Sequence, residues 1–188
     1  MNLLRRVYRK VFDLVSRFMS IVRVLHLKIK YPTLSINFGT KIGRNCQIMS
    51  ADNSKMVLKN VFIANGVILR ADDGGFLQIE KSYIGFYSVI AAAKKIIINK
   101  NCQIAEMVVI RDQDHDIGFK GFRKGDIYIG ENVWIASKAT ILRNVTIGDN
   151  AIIAASSVVR NCIVESNSLY AGIPAKFKKK LNSSEKIK

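Results

Sequence analysis

The hydrophobic positions of the chain follow two different periods. In the first 28 residues, apolar side chains recur at the three- and four-residue spacing of a helix, and most arginines fall on another face. These apolar positions are Leu4, Val7, Val11, Leu14, Val15, Phe18, Val22 and Leu25. The spacing predicts that residues 1–30 form a basic amphipathic α-helix.

From about residue 36 the hydrophobic period is six. Aliphatic side chains recur at this step without a slip from Ile129 to Val159, and shorter runs occur upstream. The upstream positions are Ile42 and Ile48, then Val57, Ile63 and Leu69, then Ile98, Ile104 and Ile110. A six-residue repeat is typical of a β-solenoid, in which each repeat places one aliphatic side chain in the core. We therefore predict a mainly β solenoid over residues 31–175.

Small and polar residues follow the aliphatic positions at regular offsets. Glycine comes directly after four of them, where turns between short strands require a small or permissive residue. Asparagine stands three residues after six of them, at corners where a left-handed backbone is tolerated. The glycines are Gly43, Gly85, Gly130 and Gly148, and the asparagines are Asn45, Asn60, Asn101, Asn132, Asn144 and Asn150.

One long interval, Arg111–Tyr128, interrupts the repeat and predicts a loop that leaves the solenoid wall. Long loops on regular scaffolds often carry function. The loop contains His115, one of two histidines in the chain, and an imidazole can serve as both general base and general acid near neutral pH. The other, His26, lies in the predicted helix, where we expect it to pack or cap.

The group that would orient His115 is open at this stage. In extended backbone, Asp112, Asp114 and Asp116 share one face and His115 points to the other. In a kinked loop, Asp114 or Asp116 would hold the imidazole tautomer as the third member of a triad does. A backbone carbonyl is the remaining candidate.

Charge and cysteine content narrow the choice of partners. The 188-residue chain has a net charge of +16, of which +7 lies in residues 1–30 and +5 in residues 176–188, a predicted basic C-terminal tail. Nucleic-acid binding requires basic residues interleaved with aromatic ones on one surface. Most of the excess positive charge lies at the two ends of the chain instead, so we expect no nucleic-acid partner.

The three cysteines form no CxxC pair, which favours a reducing cytoplasm over a disulfide or zinc framework. Cys46 and Cys102 occupy positions that hold small core residues in other repeats.

The basic helix has two compatible interpretations. A helix of this kind can lie on an anionic membrane, which would make residues 1–28 a peripheral contact. It can also pack its apolar stripe over the open end of the solenoid. Arginine and lysine interrupt the segment too often for a membrane span.

The C-terminal run IYIGENVWIASKATILRNVTIGDNAIIAASSVV, followed by SLYAGIPAKF, resembles the hexapeptide-repeat acyltransferases. The resemblance is closest to the O-acetyltransferases that act on sugars and surface polysaccharides, such as maltose and galactoside acetyltransferases. It implies a left-handed parallel β-helix and a homotrimer with active sites in the clefts between subunits. It also implies acetyl-CoA as donor, no metal, and a carbohydrate acceptor of a capsule, lipopolysaccharide or related glycan.

The resemblance also implies roles for particular residues. His115 matches the catalytic histidine, and Trp134 of NVWIA matches a tryptophan near the catalytic centre, although Ala136 stands where the family carries glycine. An aromatic packed at a subunit boundary is the alternative for Trp134. Residues expected beside the coenzyme are Ser137, Ala155 and Arg160 along the pantetheine arm, Gly172 and Pro174 at a turn, and Lys176 and Lys179 at the phosphates. A solvated basic tail is the alternative for each lysine.

Other functions on the same scaffold make different demands on the sequence. A zinc enzyme on the same scaffold needs three histidine ligands, and the chain has two histidines. A non-catalytic, membrane-docking binding module on the solenoid and an N-acetyltransferase that acts on an amino sugar both remain open.

Overall fold

The computed structural model describes residues 3–116, 118 and 121–182. One helix, α1 (Leu3–Lys30), precedes a parallel β-solenoid of about six coils, which confirms the predicted fold class. The handedness of the coil, which the resemblance implies to be left, stays a prediction.

The solenoid has three faces, and each coil adds one strand to each face in turn. Face I contains β1 (Leu34–Ile36), β4 (Lys55–Lys59), β7 (Phe76–Glu80), β10 (Lys95–Ile98), β15 (Ile127–Ile129), β18 (Val145–Ile147) and β21 (Cys162–Val164). Face II contains β2 (Lys41–Ile42), β5 (Phe62–Ile63), β8 (Tyr83–Ile84), β11 (Gln103–Ile104), β16 (Trp134–Ile135), β19 (Ile152–Ile153), β22 (Ser168–Gly172) and β23 (Ala175–Lys180). Face III contains β3 (Gln47–Ser50), β6 (Ile68–Ala71), β9 (Val89–Ala92), β12 (Val109–Arg111), β17 (Thr140–Ile141) and β20 (Val158–Val159). Two further strands, β13 (Gln113–His115) and β14 (Phe122–Lys124), lie outside the faces.

The six-residue period arises because successive repeats point into the core from successive faces. Ile129, Ile135 and Ile141 belong to faces I, II and III of one coil and are fully buried. In an upstream coil the prediction was off by one residue, because Leu58 and not Val57 belongs to the core and pairs with Ile79. The step from face I to face II there is five residues long, so a strict search at six selects the wrong neighbour.

The corners confirm the role of asparagine and show that glycine is needed there for its small size. All six predicted asparagines have positive φ, between 54° and 62°. Gly85 has no such backbone, but a Cβ there would lie 2.4 Å from the carbonyl carbon of Ala105 in the next coil. Glycine is therefore needed at this position because the coils approach each other closely.

Helix α1 covers the open end of the first coil, but not with its apolar stripe. The buried residues are Ser20 and Val24. The Ser20 hydroxyl accepts a hydrogen bond from the Ile42 N–H at 2.9 Å, and Arg23 Nη1 donates to the Ile42 carbonyl at 3.1 Å. These contacts satisfy the free edge of face II, and the prediction that the stripe itself packs there is wrong. No helix in the described ranges is long and apolar enough to cross a membrane.

The solenoid ends in a hairpin. Residues 176–180 of the predicted basic tail belong to strand β23, which pairs antiparallel with β22. Gly172 has φ +108°, which favours glycine, and pairs with Ala175 across the turn. Residues 183–188 of the predicted tail lie outside the described part of the chain.

Candidate active site

The interruption of the repeat is a two-stranded hairpin at the corner between faces III and I. Strands β13 and β14 pair antiparallel, with His115 opposite Phe122. The hairpin is shorter than the interval Arg111–Tyr128, because Arg111 still belongs to β12 and Ile127 already belongs to β15. The solenoid wall thus holds both ends of the segment that carries His115.

Asp112 closes the neck of this hairpin. Its carboxylate is fully buried and accepts hydrogen bonds from three consecutive backbone N–H groups, those of Ala93, Lys94 and Lys95, at 2.7, 2.8 and 2.7 Å. Its carbonyl accepts the N–H of Gly125 at 2.8 Å. Burial raises the pKa of Asp112, and the three N–H groups act against that shift by favouring the carboxylate. Asp112 therefore joins both hairpin strands to the preceding coil.

Two side-chain contacts hold the first hairpin strand. Arg143 Nε, at the corner of the following coil, donates to Asp114 Oδ2 at 3.1 Å. Gln113 Nε2 donates to Asp72 Oδ2 at 3.3 Å, two coils in the other direction. The strand that presents His115 is thus fastened on both sides along the solenoid axis.

His115 is exposed and rests against one aromatic ring. Its imidazole centroid lies 4.6 Å from that of Phe122, in a tilted arrangement. Among residues 3–116, 118 and 121–182, no side chain or carbonyl makes a hydrogen bond to the imidazole. Asp114 binds Arg143 instead, and Asp116 binds Arg123 at 2.8 Å, so both neighbouring aspartates have other partners. The Arg123 guanidinium lowers the pKa of Asp116, which in turn raises the pKa of Arg123.

The hairpin overhangs a cleft of about 320 Å³ on the corners of the next two coils. The cleft brings together three residues expected in the site: His115, Asp114 and Arg160. The whole lining consists of Asp114, His115, Asp116, Gly118, Arg123, Leu142, Arg143, Arg160 and Asn161. Three arginines line the cleft, and two of them are paired with the aspartates Asp114 and Asp116. The lining thus offers both hydrogen-bond donors and acceptors, which suits a ligand with hydroxyl groups.

The remaining residues expected beside the coenzyme lie at the other border of face III. Ser137 and Ala155 occupy successive levels of the corner between faces II and III, where the Ser156 N–H donates to the Ser137 carbonyl at 2.9 Å. The Gly172 N–H donates to the Ser157 hydroxyl at 3.1 Å, which places the turn containing Pro174 below the same corner. Lys176 and Lys179 are exposed on β23. One strand of face III separates this group from the His115 cleft, a width of roughly 10 Å.

Trp134 is not in the His115 cleft. It lies on the outer side of face II, 41% exposed, between Gln103 and Ile152 of the adjacent strands. A single copy of the chain therefore does not bring Trp134 to His115.

Sequence reasoning missed two residues that shape the site. The sequence shows Asp112 only as one of the aspartates near His115. Because Asp112 directly follows β12, its side chain can still reach the wall of the solenoid. Arg143 precedes a corner asparagine and carries no signal that distinguishes it from other exposed cations. Their partners lie 17 to 29 residues away along the chain.

The cysteines have environments typical of core residues. Cys102 is buried, and its thiol donates to the Gly130 carbonyl at 3.0 Å. Burial raises the pKa of Cys102 to about 11 and also raises the pKa of Cys46. A protonated, buried thiol is a poor nucleophile.

Comparison with known proteins finds a family match over part of the solenoid. Residues 126–161 match the family described as "Bacterial transferase hexapeptide (six repeats)". The matched residues contain strands β15 to β20, so the chain is similar to this family over those coils.

Two curated relatives come from Escherichia coli K12. The first, "Putative lipopolysaccharide biosynthesis O-acetyl transferase WbbJ", is 28% identical over 165 residues, which cover 77% of this chain and 84% of WbbJ. Galactoside O-acetyltransferase is 33% identical over 109 residues, 55% of this chain and 53% of the enzyme. The chain thus spans most of one relative and about half of the other.

The fold has a solved counterpart. A mutant of AntD, an N-acyltransferase from Bacillus cereus solved with dTDP-4-amino-4,6-dideoxyglucose and coenzyme A, has a TM-score of 0.68 and 19% identity, over 86% of this chain and 90% of AntD. At this identity the similarity shows a shared fold.

Proposed function

We propose that the protein is an acetyl-CoA-dependent O-acetyltransferase that acts on a hydroxyl of a carbohydrate, from a capsule, lipopolysaccharide or related glycan. The observation that carries the proposal is the fastened hairpin, which presents an exposed histidine over a guanidinium-lined cleft. The names of two curated relatives, "Putative lipopolysaccharide biosynthesis O-acetyl transferase WbbJ" and "Galactoside O-acetyltransferase", support the substrate class. Three free cysteines support a cytoplasmic location, where thiols stay reduced.

His115 acts first as a general base and then as a general acid. The imidazole takes the proton of the acceptor hydroxyl as its oxygen attacks the thioester carbonyl and forms a tetrahedral oxyanion. The oxyanion collapses, the carbon–sulfur bond breaks, and the imidazolium returns its proton to the CoA thiolate. The products are the acetyl ester and CoA, and no metal takes part. Phe122 limits the motion of the ring, and Asp114 acts on His115 by holding its strand through Arg143.

Trp134 enters the site from a neighbouring copy in a homotrimer. The resemblance implies clefts between subunits, and face II of one copy can meet the hairpin of another only in such an assembly. The exposed indole would then position the acceptor or the thioester.

The donor binds across face III. Ser137 and Ala155 line an open corner for the pantetheine arm, and the turn at Gly172 and Pro174 lies below it. Arg160 extends the donor path toward the cleft, and Lys176 and Lys179 meet the nucleotide phosphates as point charges.

The test compares two histidine variants in an acceptor screen with acetyl-CoA, in which mass spectrometry detects each acetyl group transferred. His115→Ala is expected to lower kcat about 100- to 10,000-fold, the range that general acid–base catalysis contributes. His26→Ala, the same change on the exposed side of α1, is the control and keeps wild-type turnover. Wild-type turnover by His115→Ala would remove the histidine from the mechanism.

Calorimetry separates this enzyme from a non-catalytic binding module. The wild-type protein is expected to bind CoA, whereas a docking module without a donor site would show no heat of CoA binding. The products also distinguish ester from amide formation, because mild alkali cleaves an O-acetyl group and leaves an N-acetyl group in place.

A further inference from the structure

The described residues of the chain leave the apolar stripe of α1 largely uncovered, although Val15 and Val22 border clefts between the helix and the solenoid. Its eight residues, Leu4, Val7, Val11, Leu14, Val15, Phe18, Val22 and Leu25, are between 41% and 78% exposed. At 100° per residue, Ser20 lies on the opposite side of the helix from Phe18. Because Ser20 and Val24 face the first coil, the stripe faces away from it. The solenoid therefore holds the helix with its apolar side turned outward.

Cations border this exposed surface. Residues 1–30 contain eight lysines and arginines and one acidic residue, Asp13. By the same helical angles, Lys10 and Arg17 lie along the edge of the stripe that contains Leu14. An apolar face edged by basic side chains is complementary to a bilayer whose surface carries anionic headgroups.

We infer that the stripe binds an anionic membrane surface and holds the solenoid on it by its first coil. A second copy of α1 is the competing occupant, but it would bring two helices with a charge of +7 each into contact. Like charges at such an interface are unfavourable, whereas anionic lipid neutralises them. The inference does not depend on the proposed acetyl transfer, because it uses no residue of the His115 cleft.

The experiment measures co-sedimentation of the full chain with two kinds of vesicle. One contains phosphatidylethanolamine and phosphatidylglycerol, and the other contains phosphatidylcholine alone. The wild-type protein is expected to bind the anionic vesicles at least about tenfold more tightly, and added salt should weaken that binding.

Variants separate the stripe from the rest of the surface. Leu14→Asp and Phe18→Asp are each expected to weaken anionic-vesicle binding by about tenfold or more, since each removes one apolar anchor from the bilayer. Ile163→Asp makes the same change in charge at an exposed apolar residue of β21, at the other end of the solenoid, and should bind as the wild type does. Circular dichroism confirms that each variant is folded.

Three results would overturn the inference. The first is equal binding of the wild type to both kinds of vesicle. The second is unchanged anionic-vesicle binding by folded Leu14→Asp and Phe18→Asp. The third is a smaller oligomer for these two variants in analytical ultracentrifugation, with vesicle binding unchanged, which would assign the stripe to a second copy. Both variants should transfer acetyl groups to a water-soluble acceptor at the wild-type level. If the wild-type protein shows no such transfer, that result contradicts the proposed function and leaves the membrane inference unaffected.

Discussion

Arg143 donates from Nε to Asp114 Oδ2 at 3.1 Å and joins the strand that carries His115 to the corner of the next coil. The contact crosses 29 residues of sequence. In a Ser-His-Asp triad, the aspartate binds the imidazole directly. Asp114 binds an arginine instead, so it acts on His115 only through the backbone of the strand that they share. His115 depends on the stacking of coils for its position.

The first prediction concerns this pair. Asp114→Asn and Arg143→Gln are each expected to lower kcat by roughly three- to tenfold with little change in the KM for acetyl-CoA, because a displaced general base affects the chemical step. Both side chains are partly exposed, so we expect each variant to lose at most about 1 kcal/mol of stability. Steady-state kinetics and urea unfolding measure the two effects.

In the double variant, the loss in kcat should be no larger than in either single variant, because one interaction is removed in all three proteins. Multiplied losses would show that the residues act independently. Lys59→Gln breaks a similar surface pair with Glu80 far from the hairpin and should leave kcat unchanged.

The second prediction concerns Asp112. Asp112→Ala leaves three backbone N–H groups, one buried and two partly buried, without their acceptor and is expected to cost about 3 kcal/mol of unfolding free energy. Asp112→Asn retains an acceptor oxygen but turns amide hydrogens toward backbone donors, so we expect a smaller loss. Thermal unfolding ranks the variants, and a stability equal to wild type in Asp112→Ala would contradict the role of the carboxylate at the neck.

The third prediction tests whether Trp134 and His115 act from different copies. Trp134→Ala and His115→Ala should each be nearly inactive alone. When the two are co-expressed with different tags and purified as mixed trimers, one site in three contains both wild-type residues, so about one third of wild-type kcat should return. Trimers mixed from two differently tagged His115→Ala chains are the control. No recovery in the first mixture would contradict a site that is shared between two copies.

The fourth prediction concerns the strand after the turn. The double variant Lys176→Gln and Lys179→Gln should raise the KM for acetyl-CoA by roughly tenfold, as expected for two lost phosphate contacts of about 0.7 kcal/mol each. The double variant should leave the KM for acetyl-pantetheine unchanged, because this donor lacks the nucleotide. Lys55→Gln, an exposed lysine on β4, is the control. Equal effects on both donors would mean that the lysines do not meet the phosphates.

The fifth prediction uses the pKa of Cys102. With a pKa of about 11, only about one thiol in ten thousand is ionised at pH 7, so Cys102 should react with disulfide reagents far more slowly than a free cysteine. The folded-state pKa exceeds the unfolded value, so its contribution to stability is complete below about pH 8.5 and declines as the pH rises toward 11. Mass spectrometry after timed labelling measures the rate, and Cys102→Ala should remove the slow site.

The outline of the solenoid could be read from local sequence. Ile129, Ile135 and Ile141 are spaced so that each points into the core from one face of a coil. Asn132 and Asn144 adopt the left-handed backbone of two corners, one after Ile129 and one after Ile141. These properties depend on residues within one repeat. The period of six selects Val57 instead of Leu58, because the corner between faces I and II is one residue shorter in that coil.

The candidate site was only partly predictable. The sequence singled out His115 by its residue type and its place in the interruption, and Arg160 was expected near the donor. It did not show that Asp112 is buried against Ala93–Lys95 or that Asp114 would bind Arg143, because those pairs form only when successive coils are stacked.

By itself, the sequence determined a coil with one aliphatic side chain per face, left-handed corners at asparagine, and an amphipathic first helix, because each follows from spacing and backbone preference over a few residues. Only the tertiary structure decided which aspartate fastens the hairpin, which arginine meets Asp114, and that α1 turns Ser20 inward and Phe18 outward. Those outcomes depend on contacts between residues 19 to 29 positions apart in the sequence, and no local pattern specifies them.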